Sequence, residues 1–341
     1  MSKERQIEKI KQLLTGNRKS DRIFIFQKIV DALEANATDV LNELLRLAVS
    51  YLPNEYSDLQ DEFEQYEDVY TAAFLTITVF SEITLLKRLT LMNFLVKYAD
   101  YKEQKQRKEG EQLYSFDVNI QQKIFDKITG GRVKYSASDY PFSLIYFQYA
   151  NLLTEYGDNA NAYTMYSKAH VWNPMSGPIL ARILHLFKQS RQSEELIRLG
   201  QWMQTISYNP QFIALSLQFI AYGLYLDGKF EESYAFYFQS FKFDNNPYPG
   251  LNDEVNGVLR ALKVDHPYNL SKVDISNLFL GKTYRPLPNE TVFDVIREHL
   301  IVEYTKQNYR EVLFLIDGYI KVRPRDSKIT SILKKSVEAL N

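Results

Sequence analysis

A chain of 341 residues, 45% of them hydrophobic, is long enough to bury a sizeable core, and its formal net charge of −1 offers no basic surface for nucleic acid. Cysteine is absent, which excludes disulfides and thiolate metal sites. The start, Met1-Ser2-Lys3-Glu4-Arg5, runs into a charged amphipathic pattern rather than an apolar signal core, and no apolar run approaches the roughly 20 residues a membrane span needs. The expectation is a cytoplasmic protein without a membrane span.

The N-terminal region reads as helical. Ile7, Ile10, Leu13 and Leu14 recur at helical spacing until Thr15-Gly16-Asn17 breaks the pattern. Ser20 is placed to cap the next helix, which carries Ile23, Phe26, Ile29, Val30 and Leu33. Thr38 or Asp39 opens another, with Leu41, Leu44, Leu45 and Ala48, closed by Pro53. Residues 68–98 are apolar over most of their faces and predict one or two buried helices. An acidic run (Asp58, Asp61, Glu62, Glu64, Glu67, Asp68) precedes them and a basic one (Lys97, Lys102, Lys105, Arg107, Lys108) follows. These runs read either as solvated faces or as an acidic dock for a basic partner. Gly130-Gly131 and Ser136–Pro141 mark a linker, so the expected domains are an N-terminal helical region, 1–135, and a second domain, 141–341.

The second domain contains a repeated spacing. A helix-like run, Tyr146 to Leu153, ends at Gly157 and is followed by Ala162, Tyr166, Ala169 and Pro174. Leu217, Ala221 and Leu224 lead in the same way to Gly228, then Ser233, Tyr237, Ser240 and Pro247. The two glycines are 71 residues apart, two units of about 35 residues. Small residues (Ala150, Ala162, Ala169; Ala221, Ser233, Ser240) stand where two antiparallel helices cross closely, and the glycines can take positive φ at the turn. Asp158 or Asn159 can cap the second helix of the first copy.

On these residues the chain resembles the tetratricopeptide repeat family, in about 143–176 and 214–247. The resemblance implies an all-α, right-handed α-α superhelix. Neighbouring units are degenerate: 178–189 with 193–206 around Ser190-Arg191-Gln192 and stopped at Asn209-Pro210, 251–264 with 271–280 capped by Ser271, and 291–323, where Thr291 with Asp294 reads as a capping box and Asn308 takes the glycine's place. Residues 326–340 predict a closing helix with a polar outer face. The 25 Tyr and 21 Phe are expected to serve mainly as wedges between helix layers.

No motif for catalysis or a cofactor is present. The four histidines, His170, His185, His266 and His299, form no metal-binding string, no phosphate-cradling loop occurs, and no Gly-x-Ser-x-Gly elbow exists. No catalytic residue, metal or cofactor is therefore expected. The first 65 residues lack a helix-turn-helix with a basic recognition helix.

In tetratricopeptide arrays the first helix of each pair lines a concave groove. Here that implies Leu144, Phe147, Asn151 and Thr154 in the first copy and Leu215, Gln218, Tyr222 and Tyr225 in the second. Asn151 is singled out because its amide can both donate to and accept from an extended peptide backbone. On the groove side, its replacement should leave stability unchanged. The expected function is a non-enzymatic adaptor that binds a protein or peptide segment. The alternatives are a peptide-sensing regulator of the Gram-positive pheromone-sensor type without a DNA-binding domain, and, less favoured, an enzyme targeted by its repeats.

Overall fold

The amphipathic spacing becomes helix almost throughout. The computed structural model describes residues 3–35, 37–53, 58–80, 83–106, 112–243, 250–282 and 284–340. Among these, eighteen α-helices and two short strands make an all-α chain. Pro247, the expected end of the second copy, and Arg107 and Lys108 of the basic run lie outside the described residues. The chain folds into two compact units: Met1–Ser115 with Ser136–Trp172, and Phe116–Tyr135 with Asn173–Asn341.

The first unit contains α1 (Lys3–Gln12), α2 (Arg18–Glu34), α3 (Thr38–Tyr51), α4 (Gln60–Gln65), α5 (Glu67–Ile77), α6 (Leu85–Gln106), β1 (Leu113–Tyr114), β2 (Ser136–Ala137), α8 (Phe142–Tyr156) and α9 (Asn159–Trp172). The cap of α2 is Asn17, not Ser20. Asn17 has the extended backbone of a cap residue, and its side chain accepts from the N–H groups of Lys19 and Ser20. Ser20 therefore lies inside the first turn, and Asp21 closes the break by accepting from the Thr15 and Gly16 amides at 2.7 and 2.9 Å.

Phe26, Phe63, Tyr70, Phe74 and Tyr98 form one aromatic core, with neighbouring ring centroids 4.8 to 6.1 Å apart. The stretch 68–98, expected to hold one or two buried helices, contains most of α5, whose Tyr70, Ala73, Phe74 and Ile77 are fully buried, and the first part of α6.

The α8–α9 hairpin turns at Gly157 with φ +91°. Asp158 Oδ1 accepts from the Asn161 amide at 3.2 Å, which makes Asp158 the cap of α9. Ala150, Ala162 and Ala169 have no exposed surface. Ala162→Leu is therefore expected to overpack this hairpin and destabilise the chain by about 1–3 kcal/mol, seen as a lower urea midpoint. An unchanged midpoint would mean that α8 and α9 do not approach closely at that position.

The second unit contains α7 (Asn119–Thr129), α10 (Gly177–Gln189), α11 (Ser193–Ile206), α12 (Pro210–Leu226), α13 (Phe230–Ser240), α14 (Leu251–Leu262), α15 (Lys272–Leu278), α16 (Glu290–Thr305), α17 (Tyr309–Val322) and α18 (Ser327–Leu340). Consecutive helices pack, α10 on α11, α11 on α12, α12 on α13, α16 on α17 and α17 on α18, while α13 touches both α14 and α15.

Gly228 turns α12 into α13 with φ +75°, and Ser233 Oγ donates to the Ala221 carbonyl at 2.7 Å. Ala221, Ser233 and Ser240 are fully buried. In the degenerate units the left-handed position is held by Arg191, with φ +56°, and by Gln307, with φ +60°. Gln307, not Asn308, stands where glycine does in the clear copies. Asn308 is the cap residue of α17, and its side chain donates to Glu303 Oε2 at 3.0 Å. The cap of α16 is Asn289, which accepts from the Thr291 amide, rather than Thr291. Ser271 and Asp274 form a capping box at α15.

The chain does not divide at 135–141. The hairpin α8–α9 is tied to α6 by Arg88–Glu155, by the Tyr146 hydroxyl on Asp100 at 2.6 Å and by Lys168–Asp100 at 2.9 Å. Ser136–Ala137, expected as linker, pairs in parallel with Leu113–Tyr114. The helix α7, unassigned from sequence, packs on α16, with Ile120, Gln121, Ile124 and Phe125 buried. Its signal was the i, i+4 pair Ile120 and Ile124, too short to stand out beside the polar residues around it.

Candidate functional site

In the second unit α12 is apolar over most of its circumference and lies against α10, α11 and α13. Its crossing with α11 is close because Gly200 and Gly223 stand there. A Cβ on Gly223 would lie 2.8 Å from Ile197 Cγ1 and 3.0 Å from the Ser193 carbonyl oxygen. A glycine within a helical pattern was the sequence signal for this approach.

On α12, Leu215, Tyr222 and Tyr225 form a half-buried strip; Phe212 and Leu226 near its two ends are half-buried as well. Gln218, expected on the same face, is 4% exposed and donates to Ser240 Oγ at 3.4 Å. Gln218 thus faces α13, which packs on α12 at that level.

The Tyr222 and Tyr225 rings are 6.2 Å apart, and Tyr225 meets Phe230 at 5.8 Å. Lys188 of α10 stands 5.1 Å from the Tyr222 ring centroid and pairs with Glu254 of α14. Glu254 also accepts from the Tyr237 hydroxyl at 2.8 Å. The strip is therefore an aromatic surface edged by an ion pair that joins the helices on either side of α12. Burial, with Lys188 and Arg182 nearby, holds the His185 imidazole below its usual range, so it is neutral at pH 7. The sequence marks Tyr237 only as a repeat position, and Lys188 and Glu254 not at all: the latter two are 66 residues apart, with no local pattern joining them.

In the first unit Leu144 is 39% exposed, and Phe147, Asn151 and Thr154 are half-buried. These three gather over Tyr166 of α9. Asn151 Oδ1 accepts from the Tyr166 hydroxyl at 2.8 Å, Thr154 Oγ1 is 3.2 Å from the same oxygen, and the Phe147 ring centroid is 5.9 Å from that of Tyr166. This geometry speaks against the expectation that Asn151 is dispensable for stability, because its acceptor oxygen joins α8 to α9. Asn151→Ala is expected to cost about 0.5–1.5 kcal/mol for the lost hydrogen bond. A two-state urea titration against Tyr166→Phe, which removes the same bond from the other side, checks it; a neutral Asn151→Ala would contradict this geometry.

The second unit also has a cleft of about 780 Å³ where α10 and α12 begin, with Phe212, Phe314, Met175 and Tyr208 in its wall. Burial, with Glu311 and Asp117 nearby, pushes the Tyr208 phenol up to about 12. Among the described residues no helix is long and apolar enough to cross a membrane. Fold and site define an all-α protein of consecutively packed helices with an open aromatic strip. No protein-family model matches the chain, and no curated protein matches its sequence.

Proposed function

We propose that this protein is a non-enzymatic, cytoplasmic adaptor of tetratricopeptide-like superhelical architecture that holds an extended peptide or protein segment against α12. The observation that carries this reading is the strip Leu215, Tyr222 and Tyr225, half open on a helix otherwise buried along most of its length. Aromatic rings supply large contact area at low entropic cost. The Lys188–Glu254 pair beside them offers polar atoms without a net charge, which suits apolar side chains and a neutral backbone better than a terminal carboxylate. Helix hairpins with left-handed turns at Gly157, Arg191, Gly228 and Gln307 support the repeat reading.

The experiment is selection of short random peptides displayed on phage against the immobilised chain, followed by calorimetry with the selected peptides. They should carry aromatic or large aliphatic residues. Tyr222→Ala should weaken binding about tenfold, equivalent to ~1.4 kcal/mol, with Tyr225→Ala in the same direction. Equal affinity for both variants and the parent chain would remove α12 as the binding face.

A further inference from the structure

The first unit holds a second open feature, remote in sequence from α12 and independent of the reading given to it. Its strand β2 is paired on one side only. The Ser136 and Ser138 amides donate to the Gln112 and Tyr114 carbonyls at 2.9 and 2.8 Å. Because successive residues of a strand direct their N–H and C=O groups to opposite edges, Ala137 turns both of its own away from β1. Ala137 is exposed, and among the described residues its backbone groups have no partner. An unpaired strand edge is a template for another extended chain.

Beside this edge lies a cleft of about 820 Å³ bounded by α5, α6 and residues 137–141. Leu75, Ala72 and Leu113 give it an apolar wall. Its charges are unequally engaged. Lys102 is paired with Glu67 and stands 4.1 Å from the Tyr140 ring centroid. Lys105 is 3.4 Å from Glu64 and 4.3 Å from the Tyr101 ring centroid. Both cations of the cleft are thus neutralised by the acidic run across from them. Asp68 and Asp139 also line the cleft, are exposed, and among the described residues have no ion-pair or hydrogen-bond partner. What remains for a ligand is two carboxylates flanking an open strand edge.

We infer that this cleft binds an extended, basic peptide segment that adds to the β2 edge through Ala137 and places lysine or arginine against Asp68 and Asp139. The acidic residues without cations of their own select the charge of the partner, and the strand edge selects its conformation. Side chains two apart along an added strand point to the same face, so a segment alternating basic and apolar residues would present its cations together to the carboxylates and its apolar residues to the other face.

The test is fluorescence anisotropy of the full chain with a labelled peptide of alternating lysine and valine. Two controls have the same length: alternating glutamate and valine, and the lysine–valine peptide methylated on every backbone nitrogen, which keeps the charge but donates no backbone hydrogen bond. The lysine–valine peptide should bind at least about tenfold tighter than either control, the equivalent of ~1.4 kcal/mol. The Asp68→Asn, Asp139→Asn double variant should lose about the same factor, and Ala137→Pro, which removes only the outward N–H and spares the bonds to β1, should also weaken binding. Tyr222→Ala should leave it unchanged.

Equal binding of the methylated peptide would reduce the interaction to charge attraction and overturn the strand addition. Unchanged affinity in the double Asp variant, or loss in Tyr222→Ala, would place the peptide elsewhere and overturn the site. If Ala137→Pro fails to fold by circular dichroism, the comparison of methylated and unmethylated peptides on the parent chain still decides.

Discussion

Glu62→Ala is expected to destabilise the chain by about 3–5 kcal/mol, the range for removing one partner of a buried ion pair. Glu62 is 2% exposed and Arg22 6%. The Arg22 guanidinium grips the carboxylate with two nitrogens, Nε at 2.9 Å and Nη2 in a shorter contact, and Nη1 donates to the Tyr51 carbonyl at 2.9 Å. Tyr70 donates its hydroxyl to Glu62 Oε2 at 2.7 Å, and burial together with this carboxylate raises the Tyr70 phenol well above its usual range. Truncating Glu62 leaves a buried guanidinium and a buried hydroxyl without their acceptor.

The cost is one of an unpaired charge and not of the pair's net worth, because desolvation offsets much of the attraction between buried ions. The double variant Arg22→Met, Glu62→Leu should therefore recover much of the loss. Urea midpoints of the single and double variants measure both. A Glu62→Ala loss below about 1 kcal/mol, the level of exposed pairs, would mean that water reaches this site.

Trp172→Ala is expected to cost about 3–5 kcal/mol, the range for deleting a buried large aromatic side chain. Trp172 is 1% exposed at the end of α9, and its ring stacks on Phe142 at the start of α8, with centroids 4.0 Å apart and planes 14° apart. Its carbonyl accepts from the Ser115 amide at 2.8 Å, so the indole packs where the hairpin's two outer ends meet the segment following β1. Alanine keeps that backbone bond and removes the packing, which separates the two contributions. Trp172→Phe should cost clearly less if stacking on Phe142 dominates. Thermal or urea unfolding followed at 222 nm decides it, and a loss for Trp172→Ala no greater than that of Trp172→Phe would remove the indole as the anchor of this hairpin.

Much of the helix architecture was legible because it is set by neighbours a few residues away. Gly157 and Gly228 take the left-handed turns their spacing implied, and Ser271 with Asp274 closes the box at α15. Ala162, Ala169, Ser233 and Ser240 are buried as small residues at helical spacing should be. The helix starts at Asn17 and Asn289 were misplaced by a few residues toward a Ser and a Thr that are equally good caps by type. Only the backbone angles separate the candidates.

The candidate site was legible in part. Tyr222 and Tyr225 remain half open, whereas Gln218 turns inward to Ser240 and Asn151 is engaged by Tyr166. Helical periodicity assigns a residue to a face of its own helix; it does not say how many other helices cover that face.

The sequence by itself determined an all-α chain, the hairpin turns and the small residues at the crossings, because hydrogen bonding within a helix, capping and turn conformation depend on residues at most a few positions apart. Only the tertiary structure decided the fate of the charge runs and the grouping of the helices. Glu62 reads as one carboxylate among six until Arg22, 40 residues away, is brought to it. Glu64 and Glu67 are matched by Lys105 and Lys102 from α6, while Asp68 and Asp139 are left without cations among the described residues. Whether a charge is solvated, paired or left for a partner depends on which distant groups folding places within a few ångströms, where Coulomb energy and desolvation are both large.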